Sequence, residues 1–547
     1  MSKKIIIIGG VAGGMSAATR LRRLMEDAEI HVIEKGPYVS FANCGLPYYI
    51  SGTIAEEDQL VVQTPEKLYN RFRLNIHTNT EAIGIHPSQK IVTIQRGDII
   101  EELSYDELIV SPGASPIIPD IKGMDQVDNI FTIRNIPDIT QVKQYIETHT
   151  VNRATVIGAG FIGLEMVENL KHLGIDINLV ELSPQVLSPL DTEMAQYIEK
   201  ELTKQGVHVY TGVSVSEFMT DGINIKLSND EVIASDLTIL SIGVQPQSQL
   251  LESAGAKTGM RGGIIVDKNY QTSLPNVYAI GDATLTQQQI NHVDTLIPLA
   301  SPANRQGRQV ADIIAGKKVN VNKGSIGTAI VKVFDLVAAS TGLNEKQLKH
   351  QKMNYQSIHV IGNHHASYYP DATDIYLKVL FDPDNGKLLG AQAVGKNGID
   401  KRIDVLATAI KGGISVQDLQ ELELTYAPPF GSAKDIVNMA GYIGENMMNG
   451  VTESIQWDEL EEYMNQGYQL IDVRETKELE TFGEYPFPYI HIPLNQLRDR
   501  LDELSEHQNY IIACQAGLRG YIGERILKQH HFNVKNLDGG YRLLAGK

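Results

Sequence analysis

Two stretches of the chain, residues 3–35 and 153–182, follow one plan and form an internal repeat. Each has an apolar strand, a glycine turn, an amphipathic helix, a second strand and then an acidic residue. A strand, glycine turn and helix in this order place a phosphate at a helix N-terminus. The repeat therefore predicts an α/β chain with two parallel-sheet units, each suited to a dinucleotide.

The second copy carries the full glycine fingerprint, since Gly158, Gly160 and Gly163 allow a tight turn, close approach of a pyrophosphate and close helix packing. Glu181 follows the second strand at a spacing suited to a ribose 2′-hydroxyl, and its carboxylate would repel a 2′-phosphate. We therefore expect NADH, with NADPH as the alternative. The expected nicotinamide-cofactor residues are Gly158, Gly160, Phe161, Ile162, Gly163, Glu181 and Gly243.

The first copy departs from the fingerprint, because Val11 stands where the second glycine would be, between Gly9 and Gly14. Glu34 ends its second strand. Three later segments each contain a strand followed by glycine: 105–116, 237–246 and 272–283. With these motifs, the part of the chain up to about residue 445 resembles the two-dinucleotide-binding flavoprotein disulfide reductases.

The resemblance implies FAD on the first unit, with Glu34 on the adenosine ribose and Asp282 on the ribityl chain. It also implies a homodimer, in which a dimerisation domain completes the partner's active site. The expected domains are an FAD domain (1–150 and 247–320), an NAD(P)H domain (151–246) and an α+β dimerisation domain (321–445), the first two Rossmann-like and arranged as in glutathione reductase. The expected FAD residues are Gly9, Ala12, Gly13, Gly14, Glu34, Lys35, Gly113, Asp282, Pro298 and Ala300.

Only two cysteines occur in the 547 residues, and each precedes a glycine turn and a segment that could start a helix. Backbone N–H groups at such places lower a thiol pKa, so we predict reactive thiolates at Cys44 and Cys514. Family members with a cysteine pair carry the second thiol where this chain has Tyr49. A single thiol forms a mixed disulfide, a sulfenic acid or a persulfide. Flavin peroxidases of this branch have a histidine where this chain has Ala12, so peroxide chemistry is disfavoured.

Three segments resemble the coenzyme A disulfide reductases: SFANCGLPYY, HASYYPDA and LTYAPPFGSAKD. The resemblance implies that Tyr368 and Tyr426 reach across the dimer to the Cys44 site, where phenolic hydroxyls stabilise or protonate a leaving thiolate. The neighbouring tyrosine Tyr48 is expected to serve packing. Coenzyme A phosphates need cations near the thiol. The expected substrate-binding residues, with Arg20 and Arg23 chosen over Arg22 by family resemblance, are Arg20, Arg23, Ser40, Asn43, Arg71, Arg73, Asn304 and Lys434.

From residue 453 to 547 a new strand pattern begins, after an expected linker at 444–456. This segment resembles a rhodanese domain, with Asp472 and Arg474 in its strand-end motif and Cys514 in its active loop. Such a loop points successive N–H groups inward and favours a thiolate or persulfide anion. Arg519 is expected to add a charge-assisted donor to that anion. A rhodanese fold without activity, used for docking, is the alternative.

Composition narrows the partners. The net charge of −18 disfavours nucleic acid or an anionic membrane as the main partner. The sequence contains no run of eighteen apolar residues, so no membrane-spanning helix is expected. Two distant cysteines indicate a reducing compartment, and the cytoplasm is the expected location. The 15 histidines have no metal-ligand spacing, so no metal is expected.

Three functional hypotheses follow. The first is an NADH-dependent, FAD-containing reductase of coenzyme A persulfide and related per- and polysulfides that releases sulfide. The second is an NAD(P)H-dependent coenzyme A disulfide reductase with an accessory rhodanese module. The third is a sulfur-carrier or redox-sensing protein. The expected catalytic residues are Cys44, Cys514, Tyr368, Tyr426 and Arg519.

Overall fold

The computed structural model of the chain describes residues 2–219, 222–317 and 322–544. They belong to two compact units, residues 1–184 with 206–327 and residues 185–205 with 328–547. The boundary expected between residues 320 and 321 lies outside the described residues.

The first parallel sheet of the first unit is centred on Lys4–Ile8. Ile5, Ile6 and Ile7 are fully buried, because a central parallel strand is covered on both faces. Helix Ala12–Leu24 follows this strand and packs against helix Ala300–Ile314. The strands, in spatial order, are Val277–Ala279, Glu107–Val110, Lys4–Ile8, Glu29–Ile33 and Asn75–His77.

The second parallel sheet of this unit repeats the arrangement, with helix Phe161–His172 after its central strand. Its edge strand Ile130–Thr132 pairs in parallel with Leu237–Leu240. Hydrogen bonding therefore joins a segment before residue 150 to the second sheet, and the two nucleotide units do not divide at that residue. The strands, in spatial order, are Val207–Thr211, Asp176–Glu181, Arg153–Ile157, Leu237–Leu240 and Ile130–Thr132.

Smaller elements complete the first unit. One three-stranded antiparallel sheet consists of Glu81–His86, Ile91–Arg96 and Ile99–Ser104. A second consists of Val215–Phe218, Asn224–Leu227 and Val232–Ala234. Two strand pairs are Ala114–Pro116 with Val244–Pro246, and Thr286–Gln287 with Asp294–Thr295. The other helices are Leu46–Ile50, Pro65–Phe72, Ile136–Thr148 and Gln249–Ser253.

An antiparallel sheet and its helices form the core of the dimerisation region in the second unit. The strands, in spatial order, are Ala329–Val333, Leu336–Gly342, Leu388–Gly395, Asp374–Phe381 and Gln356–Asn363. The helices are Glu345–His350, Ile399–Gly412 and Ile436–Met448.

Helix Thr192–Lys204 also packs on this sheet, although the sequence places it within the expected NAD(P)H domain. The helix is held on the sheet by Lys378, a buried residue of the sheet whose ammonium forms ion pairs with Asp191, Glu193 and Glu345. Within the described residues these three carboxylates are the one group close enough to hold a metal ion, and the Lys378 ammonium already contacts all three.

The C-terminal region has a parallel sheet of Ser454–Ile455, Asn533–Leu537, Asn509–Ala513, Gln469–Asp472 and Tyr489–His491, in spatial order. Its helices are Leu460–Asn465, Thr476–Phe482, Leu518–Gln529 and Tyr541–Leu544. The linker expected at 444–456 is corrected at both ends. Helix Ile436–Met448 continues into it because Met447 and Met448 pack against the dimerisation core. Ser454–Ile455 already pairs with the C-terminal sheet.

None of the helices within the described residues is long and apolar enough to cross a lipid bilayer.

Candidate active sites

Cys44 lies in the turn Asn43–Gly45, directly before the short helix Leu46–Ile50. Its side chain is a free, exposed thiol. Although the residue is exposed, partial burial of its sulfur raises the pKa of Cys44, and the nearby carboxylates of Glu165 and Asp282 raise it further. The prediction that the pKa of Cys44 is lowered is therefore wrong. The physical reason is that the N–H groups of Gly45 and Leu46 bond to the carbonyls of Ala42 and Asn43, so they do not serve the sulfur.

A tyrosine–glutamate pair lies beside this thiol. The Tyr48 hydroxyl donates to Glu165 Oε1 at 3.3 Å. Burial raises the pKa of Glu165 to about 7, even though the bond from Tyr48 acts to lower it. Burial and Glu165 raise the pKa of Tyr48 to about 12. A carboxyl that titrates near neutrality next to a thiol is suited to hold or release a proton there.

The pair is held by packing between helix Leu46–Ile50 and helix Phe161–His172. Ser51 Oγ donates to Asn169 Oδ1 at 2.6 Å, and Asn169 Nδ2 donates to the Glu165 carbonyl at 2.8 Å. Sequence reasoning missed Glu165 and gave Tyr48 a packing role. The available signal was a glutamate one turn into an otherwise apolar helix start, Phe-Ile-Gly-Leu-Glu, directly after the glycine fingerprint.

The two glycine turns have matching geometry and fit dinucleotides. A Cβ on Gly14 would lie 1.9 Å from the Gly9 carbonyl oxygen, and a Cβ on Gly163 would lie 1.9 Å from that of Gly158. Only glycine permits these approaches of helix to strand. A Cβ at Gly160 would meet nothing within 4 Å, which leaves room for a pyrophosphate at the helix start.

The acidic residue of each repeat closes its own turn. Glu34 accepts from the N–H groups of Gly10 and Gly36, at 2.8 Å each. Glu181 accepts from Ala159 at 2.7 Å and from Ser183 at 2.8 Å. Both carboxylates are thereby fixed beside the glycine turns, with further lone pairs left for ribose hydroxyls.

The remaining nucleotide candidates lie in the first unit. Asp282 lies in the turn Gly281–Ala283, which follows strand Val277–Ala279. Burial raises the pKa of Asp282, and Arg134, 3.8 Å away, opposes the shift. Lys35 forms an exposed ion pair with Glu81 at 2.9 Å. Ala12, Gly13 and Gly14 begin helix Ala12–Leu24, Phe161 and Ile162 begin helix Phe161–His172, Pro298 and Ala300 lie at the start of helix Ala300–Ile314, and Gly113 and Gly243 have positive φ.

The expected substrate residues of the first unit differ in what holds them. Arg20 donates to Asp312 at 2.7 Å, and Asn43 donates to the Arg134 carbonyl at 3.2 Å. Arg22, which is not among the expected substrate residues, is buried and donates to backbone carbonyls such as that of Phe72, so its role is structural. Ser40 and Arg73 have positive φ, Asn304 bonds to Ser16, and Arg23, Arg71, Arg73 and Asn304 are exposed.

In the second unit the structure brings Tyr368 and Tyr426 together. Their hydroxyl oxygens are 2.9 Å apart, and both side chains are exposed. Lys434 is exposed next to buried Asp435, whose carboxylate pairs with Arg402 at 2.6 Å and anchors the loop. The structure thus brings the two expected tyrosines together at the surface, with both phenols accessible to solvent.

Cys514 occupies a different environment, 1 % exposed at the end of strand Asn509–Ala513. The Gly517 N–H donates to its Sγ at 3.1 Å, and Tyr485 donates to its carbonyl at 3.0 Å. Arg474 connects the loop to strand Gln469–Asp472, because it forms an ion pair with Asp472 at 2.8 Å and donates to the side-chain oxygen of Gln515 at 3.2 Å. The loop therefore presents a backbone donor to the sulfur before any ligand arrives.

Arg519 lies close enough to Cys514 for an electrostatic interaction, but its guanidinium donates to Glu478, and its role as a donor to an anion at the loop stays a prediction. Its guanidinium forms a bidentate ion pair with Glu478, at 2.5 and 2.6 Å. The planar fork of arginine matches a carboxylate, so the pair holds Arg519 at the rim of the loop. Leu518, beside it, is 60 % exposed.

Comparison with protein families matches three consecutive parts of the chain. The model for pyridine nucleotide-disulphide oxidoreductase matches residues 3–307, and the model for the dimerisation domain of that family matches residues 328–436. The model for the rhodanese-like domain matches residues 456–546.

Relatives match the same parts. A coenzyme A disulfide reductase of Staphylococcus haemolyticus is 38% identical over 443 residues, which are 80% of this chain and 99% of that protein. The reduced CoADR-RHD of Bacillus anthracis has a TM-score of 0.98 and 47% identity, covering 100% of this chain and 98% of that one. A NAD-dependent persulfide reductase from A. fulgidus has a TM-score of 0.92 and 36% identity, covering 99% of each chain.

Proposed function

Since the chain belongs to the pyridine nucleotide-disulphide oxidoreductase family, whose members use FAD and NAD(P)H, we propose that it reduces coenzyme A persulfide and related per- and polysulfides with NADH and releases sulfide. The observation that carries the proposal is that one chain contains two free thiols in unlike environments. Cys44 is the single thiol of the reductase part, and Cys514 lies on a backbone anion site of the rhodanese-like part. Relatives named for coenzyme A disulfide and for persulfide support it.

The chemistry balances at Cys44. Attack of the Cys44 thiolate on the inner sulfur of coenzyme A persulfide forms a mixed disulfide and expels hydrosulfide. Two electrons from NADH and one proton then break that disulfide and return the Cys44 thiolate and coenzyme A thiol. FAD, when bound, supplies the relay of electrons between nicotinamide and sulfur.

The residues of the chain control protons and orientation. Protonation of Glu165 removes a negative charge near Cys44 and so favours the thiolate. Tyr48, bonded to Glu165, keeps that carboxyl in place. Glu181 favours NADH, because it would repel a 2′-phosphate. Tyr368 and Tyr426 are the donors we assign to the leaving thiolate of a partner subunit's substrate, in a homodimer.

Cys514 is assigned the transfer of sulfane sulfur. The Gly517 N–H donates to Cys514 Sγ and so stabilises the thiolate that accepts a sulfane sulfur. The persulfide that forms carries its charge on the outer sulfur. Arg20, Arg23, Ser40, Asn43, Arg71, Arg73, Asn304 and Lys434 are assigned to coenzyme A by their charge or polarity. Two free thiols without a disulfide support a reducing location, which we take to be the cytoplasm. Fractionation of the source cells tests this last point.

The decisive experiment compares wild type, Cys44→Ser and Cys514→Ser in anaerobic NADH oxidation with sulfide quantified. Coenzyme A persulfide and coenzyme A disulfide are the two substrates. We expect faster persulfide turnover, one sulfide per NADH, and loss of both activities in Cys44→Ser. Unchanged rates in Cys44→Ser would refute the scheme.

A second candidate is coenzyme A disulfide reduction with the rhodanese-like part as an accessory. It is favoured by the staphylococcal relative, whose 443 matched residues are 80% of this chain yet 99% of that protein, so almost no length is left there for a comparable C-terminal domain. Faster turnover of the disulfide than of the persulfide, unaffected by Cys514→Ser, would establish this candidate instead.

A further inference from the structure

A turn near the C-terminus, Asp538–Gly540, lies between the dimerisation sheet and the Cys514 loop. On the side of the sheet, His359 donates from its backbone N–H to Asp538 Oδ2 at 3.0 Å, and its Nδ1 lies 2.8 Å from the same oxygen. Gln456 Nε2 donates to that oxygen at 3.3 Å. The Asp538 carboxylate is therefore held jointly by His359 of the dimerisation domain and by Gln456 of its own domain.

On the other side, the turn is packed against the sulfur-bearing loop. A Cβ on Gly540 would lie 2.3 Å from the Cys514 carbonyl oxygen and 3.0 Å from the Ala516 nitrogen. The Tyr541 N–H donates to the Cys514 carbonyl at 2.8 Å, and the Arg542 N–H donates to the Gln515 carbonyl at 3.1 Å. A displacement of the turn must therefore move the backbone of Cys514 and of the two residues that follow it.

The last helix has its own attachments to the dimerisation domain. Arg542 pairs with Asp374 at 2.7 Å, and its carbonyl accepts from the Tyr197 hydroxyl at 3.2 Å. The Leu543 carbonyl accepts from Gln196 at 3.3 Å. These bonds hold the helix Tyr541–Leu544, whereas His359 contacts the preceding turn through Asp538.

His359 is suited to this task because it is a buried cation between carboxylates. Its Nε2 lies 3.2 Å from Glu193, and Lys378 also contacts Glu193. Burial alone would lower the pKa of His359, but the charge and hydrogen bond of Asp538 and the bond to Glu193 raise it to about 9. A buried carboxylate that loses such a partner is left uncompensated, which is strongly unfavourable.

We propose that His359 of the dimerisation domain is a positioning residue for Cys514: it holds Asp538, and through the turn 538–540 it keeps the sulfur-bearing loop in the shape that binds an anion. The step of sulfur transfer rests on the proposed function, whereas the positioning of the thiol does not. The network thus makes the geometry of one domain's thiol depend on a side chain of another domain.

The test uses the full-length holoenzyme with Cys44→Ser, so that Cys514 is its one thiol. The rate of alkylation of Cys514 by iodoacetamide is followed against pH in this background alone and with His359→Gln, Asp538→Asn or Asn446→Ala added. Asn446 is the matched control, because it bonds across the same two domains to Tyr521 at 3.3 Å but does not touch the turn. Thermal unfolding is recorded for each variant.

We expect His359→Gln and Asp538→Asn to accelerate alkylation at high pH about tenfold, the factor for a lost hydrogen bond to a charged group, and to shift the alkylation pKa upward. Asn446→Ala should behave as the parent. With Cys44 restored, the two turn variants should lose sulfide release from polysulfide, whose sulfane sulfur Cys514 is proposed to transfer, but retain the reduction of coenzyme A persulfide and coenzyme A disulfide at Cys44.

A parent-like alkylation profile in a folded Asp538→Asn protein would overturn the proposal, whatever His359→Gln does to folding. An equal change in Asn446→Ala would also overturn it, because the effect would then belong to docking in general. If alkylation shifts as expected while the wild type transfers no sulfane sulfur, the positioning stands and the proposed function of Cys514 fails.

Discussion

The two thiols of this chain contrast in how their surroundings treat negative charge. Cys44 is exposed, and burial of its surroundings together with Glu165 and Asp282 raises its pKa. Cys514 is buried, yet its sulfur already accepts an N–H from its own loop. The comparison teaches that the carboxylates around Cys44 oppose its thiolate, so that loss of their negative charge favours ionisation there. Cys514, in contrast, has its anion site built into the backbone.

The largest effect should separate the two thiols by substrate. Cys44→Ser should lower NADH oxidation with every sulfur substrate by at least about a thousandfold, because the attacking sulfur is lost. Cys514→Ser should lower turnover only with donors that need sulfur transfer. Steady-state rates with coenzyme A persulfide, polysulfide and coenzyme A disulfide check this. An equal loss in both variants with all three substrates would remove the distinction.

The next effect concerns the loop of Cys514 alone. Gly540→Ala places a Cβ 2.3 Å from the Cys514 carbonyl, and such overpacking costs about 1–3 kcal/mol. We expect roughly a tenfold or greater loss of sulfur transfer, with Cys44-dependent disulfide reduction unchanged. The control is Gly450→Ala, since Gly450 has nearly the same φ, 66° against 62°, but nothing within 4 Å of a Cβ. Similar losses in both variants would assign the effect to backbone strain.

Local patterns in the sequence indicate both glycine turns and both thiols, because a turn, a strand period and a helix start are encoded within a few residues. The Tyr48–Glu165 bond joins residues 117 apart, and the Lys378–Glu193 ion pair joins residues 185 apart. Neither has a local signature. The same applies to strand Ile130–Thr132, whose place is decided by pairing with a strand more than a hundred residues later.

The expectation for the Cys44 pKa failed for a related reason. The sequence shows a thiol before a helix, but not that Gly45 and Leu46 spend their N–H groups on the turn itself. Nor does it show that Glu165 comes from the second repeat to lie near the sulfur. Electrostatics at a site depends on groups from several segments, so the residue types can be found before their charges can be balanced.

A smaller effect tests the carboxyl beside Cys44. Glu165→Gln should lower the pKa of the Cys44 thiol, because a nearby negative charge is removed. The pH profile of Cys44 alkylation, in a Cys514→Ser background, measures this shift. Tyr48→Phe is the matched variant: it removes the bond that lowers the pKa of Glu165, so Glu165 should stay protonated to higher pH. A Cys44 profile identical in wild type and Glu165→Gln would refute this account.

The same substitution has a stability signature with a defined sign. The folded pKa of Glu165 is about 7, raised from 4.5, so its contribution to stability is fully present below about pH 4.5 and is lost as the pH rises through 7. Thermal unfolding should therefore show Glu165→Gln gaining on wild type between these values and keeping the gain above pH 7. A constant difference across this range would mean that burial does not act on the charge.

The smallest effect concerns the rim of the Cys514 loop. Glu478→Gln weakens the bidentate pair with Arg519 and frees the guanidinium for an anion at the loop. Because both side chains are partly exposed, the cost in stability should stay below about 1 kcal/mol. Arg519 lowers the pKa of Glu478, so this cost is present above about pH 4.5 and fades as the pH falls.

The same substitution should raise the rate of sulfur transfer about two- to threefold at low salt, and less at high salt. Slower transfer would instead mean that Glu478 orients Arg519 for the reaction, and Arg519→Lys, which keeps the charge but loses the fork, would then be equally slow.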